Sequence, residues 1–146
     1  MPRAKTPETV AYDLHVLVAR LDAAADRILQ AGHGISYRRF LALLALRDLG
    51  EASQRALAER LDVSEPSASR MAAVLAGEGL VHVAPDPAGG NRRRLTLTRR
   101  GAQIVADCVA SLEGRFADLV ARSGVGYERF AADTRRLVAA LGESPR

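Results

Sequence analysis

Five arginines, Arg92, Arg93, Arg94, Arg99 and Arg100, stand between Asn91 and Arg100 with no acid among them. That density favours a polyanionic partner over a small acidic molecule, although a solvated charged loop has the same composition. A second group lies upstream, where Ser64, Pro66, Ser67, Ser69 and Arg70 crowd together. Short hydroxyl side chains and one guanidinium can exchange hydrogen bonds with flat acceptor edges while letting a backbone come close. Acid-base chemistry has no such foundation. No phosphate loop, nucleophile elbow or paired carboxylate site can be assembled, so no catalytic residue is assigned and an enzyme is the least favoured class. His15, His33 and His82 fall on three separate predicted elements without ligand spacing, and Cys108 is the single cysteine. Neither a metal site nor a cofactor is expected.

The elements that must position these groups follow from hydrophobic periodicity. Val10, Leu14, Leu17, Leu21 and Ile28, with Ala24 between, form the narrow seam of a first amphipathic helix that Ala31-Gly32-His33-Gly34 ends. Ser36 caps a second helix carrying Phe40, Leu43, Leu44 and Leu46 up to Gly50. Ser53 caps a third, Gln54 to Leu61, and Asp62-Val63 connects it tightly to a fourth capped by Ser64. Pro66 fits the first turn of that fourth helix, and Ala68, Met71, Ala72 and Leu75 make its inward stripe before Gly77 and Gly79 close it. Leu80 to Ala84 and Arg94 to Thr98 read as two strands around the turn 85–91, where Gly89 and Gly90 precede the arginines. Thr98 caps a long fifth helix whose face is Ile104, Cys108, Leu112, Phe116 and Leu119; running to about Arg122 it spans roughly 36 Å. Gly124-Val125-Gly126 breaks it, and a last helix carries Phe130, Thr134, Leu137 and Leu141.

Two short helices joined by a tight turn and followed by a basic hairpin form an arrangement with a mechanical use. The second helix can enter a major groove while the hairpin reaches phosphates or the minor groove. At about 100° per residue, Pro66, Ser67, Ser69, Arg70 and Ala73 point away from the inward stripe. Arg70 can bond guanine bidentately, and Arg92 and Arg93 at the hairpin tip suit minor-groove or phosphate contact. Ser64 serves as a cap in either reading, and Arg94 is also placed as a strand residue facing solvent.

Composition sets the outer limits. The 146 residues fit one integrated domain, 48% hydrophobic but only 4% aromatic, with a net charge of +4. A core of Leu, Val and Ala suits closely packed helices, and long terminal helices on a compact middle favour self-association. No apolar run reaches the roughly 18 residues of a membrane span, and residues 1–10 lack the apolar stretch of a signal peptide. A reducing, cytoplasmic location is the expectation.

From Ile35 to Gly101 the chain resembles the multiple-antibiotic-resistance regulator (MarR) family. The blocks are ISYRRFLALLAL, ALAERLDVSEPSASRM, the GEGLV turn, Asp86-Pro87 at the start of the hairpin turn and LTRRG after it. The flanking helices agree in pattern. The resemblance implies a mainly α fold with a small β-hairpin wing: a winged helix-turn-helix lobe over 35–98 and N- and C-terminal dimerisation helices over 1–34 and 99–146. It further implies a homodimer on double-stranded DNA bearing a pseudo-palindromic operator, usually repressing transcription until a small, often aromatic, ligand or an oxidant acts. The DNA-binding residues it implies are Ser64, Pro66, Ser67, Ser69, Arg70, Arg92, Arg93 and Arg94. Tyr12, His15 and Tyr37 lie where the family's ligand crevice forms.

Two departures stand out. Family members commonly carry Arg at the end of the first wing strand and Asp-Arg-Arg at the tip, where this chain has Val83 and Gly89-Gly90-Asn91. The usual wing salt bridge is therefore missing and a looser wing is expected. Cys108 lies mid-helix on an apolar face, unlike the first-helix cysteine of peroxide sensors, and reads as a buried structural thiol. A non-specific architectural DNA-binding protein remains the alternative. A protein-interaction adaptor would show acids on the recognition face, where Glu65 is the only one nearby.

Overall fold

A computed structural model of the chain describes residues 9–90 and 92–142. Residues 1–8, Asn91 and residues 143–146, which the sequence reading includes, lie outside the described residues. Among these described residues six helices and three short strands run in the order α1 (Val10–His33), α2 (Tyr37–Leu49), β1 (Ala52–Ser53), α3 (Gln54–Leu61), α4 (Glu65–Gly77), β2 (Val81–Pro85), β3 (Arg93–Leu97), α5 (Arg99–Ser123) and α6 (Tyr127–Gly142). Contacts divide them into two compact units, the first ending at Val109 and the second beginning at Ala110.

Helix ends in the first unit are set by the residues that composition marked. Ser36, Ser53 and Ser64 all have extended backbone, and each side chain accepts the N–H three residues on, at 3.0–3.2 Å. Gly34 closes α1 in the left-handed conformation, at φ 66°. Asp62 takes the same conformation at φ 53°, the one non-glycine residue to do so among those described, and Val63 N–H then donates to Ala58 C=O at 3.0 Å. Aspartate is among the few side chains that tolerate this region, and it lets α3 stop and α4 start within three residues.

The core of this unit is aliphatic. Leu29 of α1, Leu43 and Leu46 of α2, Leu57 of α3, Leu75 of α4 and Leu95 of β3 are fully buried, and among the described residues no polar side chain is buried with them. α1 buries Ala25 and Leu29 rather than the expected seam, most of whose members stay half-buried while Val10 and Leu14 are exposed. The helix thus has two apolar sides, and the one facing the core is not the one that the four-three spacing emphasised. Likewise Val105 joins Cys108 as a buried residue of α5.

The sheet has the order β1-β3-β2, antiparallel throughout. β1, which two residues could not announce in sequence, pairs Ala52 with Leu95 and Ser53 with Arg94. β2 pairs Val81 with Leu97 and Pro85 with Arg93, each strand lying one residue from its expected bounds. At the turn Asp86 N–H donates to Arg92 C=O at 2.9 Å, and Asp86 Oδ1 accepts from Ala88 N–H at 2.9 Å. Gly89 and Gly90 follow with φ 89° and 76°, a geometry that favours glycine.

The hairpin is locked to the start of α5. Thr98 accepts from Gly101 N–H at 3.0 Å as the cap and donates its hydroxyl to Gly79 C=O at 2.7 Å, while its own N–H donates to Leu80 C=O at 3.0 Å. Gly101 is buried against the Leu80 backbone so closely that a Cβ there would collide with the Leu80 carbonyl oxygen.

In the second unit the Phe116 ring of α5 packs on Tyr127 and Phe130 of α6, both at 6.3 Å, and Tyr127 donates its hydroxyl to Glu113 at 3.2 Å. That hydrogen bond, ahead of the Glu113 charge, raises the Tyr127 pKa. Along α6, Leu137, Val138 and Leu141 are 60%, 66% and 78% exposed. No described helix is long and apolar enough to cross a membrane.

Candidate nucleic-acid interface

α4 divides cleanly. Ala68, Ala72 and Leu75 are buried and Met71 is half-buried, while Pro66, Arg70, Ala73 and Val74 are exposed. Ser67 and Ser69 are half-buried between the two sides. Ser64, besides capping the helix, donates its hydroxyl to Ser67 Oγ at 3.0 Å, and Arg70 Nη2 donates to the same oxygen at 3.3 Å. The guanidinium is thereby held over the first turn of its own helix, with donors left over for another acceptor.

Beside this face the wing carries Arg92 and Arg93, both exposed. They line a polar cavity of about 370 Å³ together with Ser53, Gln54 and Arg55 of the α3 start, Glu65 of α4 and Asp86. Opposite, Arg38 and Arg39 at the start of α2 share a second concavity, of about 260 Å³, with Ser67, Arg70, Met71 and Val74. Arg39 is paired with Glu78 at 2.6 Å and Arg55 with Glu59 at 3.2 Å, but Arg38 on one side and Arg92 and Arg93 on the other still flank the α4 face, an arrangement able to straddle a rod of negative charge. Arg38, Arg39, Gln54, Arg55 and Val74 were not picked out in sequence. The first four lie on helices whose motif is apolar or capping, and only the tertiary fold brings them beside α4, whereas Val74 is on α4 itself, one turn beyond Arg70.

Arg94 behaves differently from its neighbours. Its Nη1 lies 2.8 Å from Glu51 Oε1 and its Nε 3.7 Å from Asp86 Oδ1. The hydrogen bond to Glu51 raises its already high pKa, with the Glu51 charge and then Asp86 adding to the effect. The wing, which lacks the family's usual salt bridge, thus has one built from other residues.

The remaining site candidates are dispersed. Tyr37 stacks on Phe40 at 6.1 Å; burial raises its pKa, aided by the charge and hydrogen bond of Asp22. Tyr12 and His15 lie ten and seven residues before Asp22, roughly 15 and 10 Å back along α1, so the chain does not gather the three. His33 closes α1, so it shares that helix with His15, and His82 is in β2. Cys108 is fully buried, and burial, with a smaller effect of Asp107, raises its thiol pKa.

Helix, left-handed turn, helix and antiparallel wing, with the second helix presenting its polar side, define a winged helix-turn-helix protein. A family model described as MarR family matches residues 33–91. An uncharacterized HTH-type transcriptional regulator of Mycobacterium bovis is 32% identical over 139 residues, covering 93% of this chain and 95% of the relative. The chain belongs to the MarR family of transcriptional regulators, not to a family of enzymes. Among solved structures, NadR in complex with 4-hydroxyphenylacetate superimposes with a TM-score of 0.77 at 19% identity, covering 99% of this chain and 100% of that one. A mutant MarR from E. coli complexed with operator DNA gives 0.70 at 20% identity, covering 94% and 99%.

Proposed function

We propose that this regulator binds a pseudo-palindromic operator in double-stranded DNA as a homodimer and represses transcription until a small molecule releases it. DNA binding is assigned to 35–98 and dimerisation to 1–34 and 99–146, within one integrated domain. The observation that carries the reading is the exposed side of α4, Pro66, Arg70, Ala73 and Val74, flanked by arginines of the wing and of α2. Ser67, Ser69 and Arg70 read base edges, while Arg92 and Arg93 take backbone or minor-groove contacts. Ser64 and Pro66 set the start of the reading helix. The relative solved on operator DNA supports the target, and the exposed stripes of α1 and α6 support a second copy.

Release by an aromatic ligand rests on NadR with 4-hydroxyphenylacetate. Half-buried and hydrogen-bonded to Asp22, Tyr37 is the best anchored of the three crevice candidates, Tyr12 and His15 being more exposed. The cytoplasm is the compartment where such a target is met.

The test is selection of bound fragments from random duplex DNA, followed by anisotropy titration over a salt series. An enriched inverted repeat with half-sites about one helical turn apart, and an affinity falling steeply with salt, are the expected results. Equal affinity for unrelated duplexes would instead establish the architectural alternative. Arg70→Ala should relax the preference at one base, at a cost of about 1–3 kcal/mol, where an architectural protein would lose almost nothing.

A further inference from the structure

Glu65 is the single acid of α4, exposed at the first helical position behind the Ser64 cap. It lines the cavity shared by Arg55, Arg92 and Arg93, and no hydrogen bond or ion pair to another described residue engages its side chain. The helix dipole favours a carboxylate in the first turn. It does not explain why a surface built for a polyanion keeps a negative charge, unpaired among the described residues, between the start of α4 and the wing arginines. An ionised carboxylate only accepts hydrogen bonds, so it gains from a donor and loses against acceptors. In the major groove guanine shows N7 and O6 acceptors, thymine an O4 acceptor, and adenine an N6 donor beside an N7 acceptor. Cytosine alone offers its N4 amino donor with no acceptor on its own edge.

We infer that Glu65 is a specificity-determining residue, accepting a hydrogen bond from the N4 amino group of one cytosine in each half-site. This rests on the reading of the chain as a sequence-specific DNA-binding regulator. The small residues that follow, Pro66 and Ser67, let the helix start approach the base edge closely enough for a short acid to reach it. A mismatched base at that position meets the carboxylate with an acceptor and is rejected, so Glu65 contributes discrimination by repulsion as well as by attraction.

The experiment repeats the random-duplex selection on the full chain with Glu65→Gln and Glu65→Ala beside the unaltered protein. The unaltered protein should demand cytosine at one position of each half-site, and replacing that base should weaken binding on the order of tenfold. Glu65→Gln, whose carboxamide both donates and accepts, should move the preference there to adenine. Glu65→Ala should leave that position unselective, with every other position of the motif retained as proof that the helix is intact. Should both variants keep the original motif throughout, even with a uniform gain in affinity from reduced phosphate repulsion, the inference is overturned while the regulator reading stands. If the unaltered protein selects no motif, the regulator reading itself fails and the inference with it.

Discussion

Arg94 and Glu51, forty-three positions apart in sequence, meet at 2.8 Å and tie the wing to the short strand that precedes α3. Asp86, the residue that closes the wing turn, sits on the other side of the same guanidinium at 3.7 Å. The second wing strand is thereby held against both the body of the lobe and its own hairpin. Exposed ion pairs contribute little to global stability, so the consequence is local.

Glu51→Gln should accelerate amide hydrogen exchange in Val81–Pro85 and Arg93–Leu97, leave α2 and α3 protected and weaken DNA binding. Arg94→Ala should do the same to a similar extent, and the exchanged pair Glu51→Arg with Arg94→Glu should recover part of both. If Arg94→Ala weakens binding while Glu51→Gln does not, Arg94 contacts DNA itself rather than bracing the wing.

At Gly101, helix propensity and packing make opposite demands. Alanine would favour the α5 helix by about 1 kcal/mol, but its Cβ would collide with the Leu80 carbonyl oxygen, a backbone atom that cannot move aside. Packing should win: Gly101→Ala is expected to destabilise the protein by on the order of 3 kcal/mol in urea unfolding. A stabilised variant would show that the hairpin and α5 are less tightly docked than described.

Cys108 should react with a disulfide reagent only as fast as the protein opens, because the group has no exposed surface and its pKa is raised by burial. The raised value has a second consequence. Below the ordinary thiol pKa of about 8.5 the folded and unfolded chains both hold the proton and stability is unaffected. As pH rises through the unfolded value towards the folded one, the unfolded chain ionises first and stability falls. Cys108→Ala should flatten that alkaline decline, as followed by denaturant midpoints at a series of pH values. An unchanged decline would assign it to other groups.

Leu137 and Leu141 project from α6 with most of their surface exposed. In an isolated subunit, Leu137→Glu or Leu141→Glu would change stability by no more than about 0.5 kcal/mol. In a dimer seated on this helix either should shift sedimentation towards the 15.6 kDa subunit and abolish operator binding. Retention of the parent's association state in both variants would place the interface elsewhere.

Much of this molecule was readable from local chemistry. Ser36, Ser53, Ser64 and Thr98 announce helix starts because a cap acts over three residues, and Asp62-Val63 left no length for anything but a tight turn. Gly101 could be matched to a family motif but not explained, since the reason is a contact with Leu80, twenty-one positions away. β1 was invisible for the same cause: Ala52 and Ser53 are a strand only because Leu95 and Arg94 lie alongside. Charge density does not reveal which member of a run finds an acid, so the pairing of Arg94 with Glu51 and Asp86 is not legible in sequence. Arg38 and Arg55 were overlooked for the converse reason: isolated on their helices, they acquire meaning only where the fold sets them beside α4.

The proposed presentation of α4 by each of two subunits is tested most directly by hydroxyl-radical footprinting of the selected duplex at known protein-to-DNA stoichiometry. Two subunits per duplex, with two protected patches about one helical turn apart related by the symmetry of the site, are the expected result. One subunit per duplex with a single patch, or continuous protection that lengthens as protein is added, would contradict it.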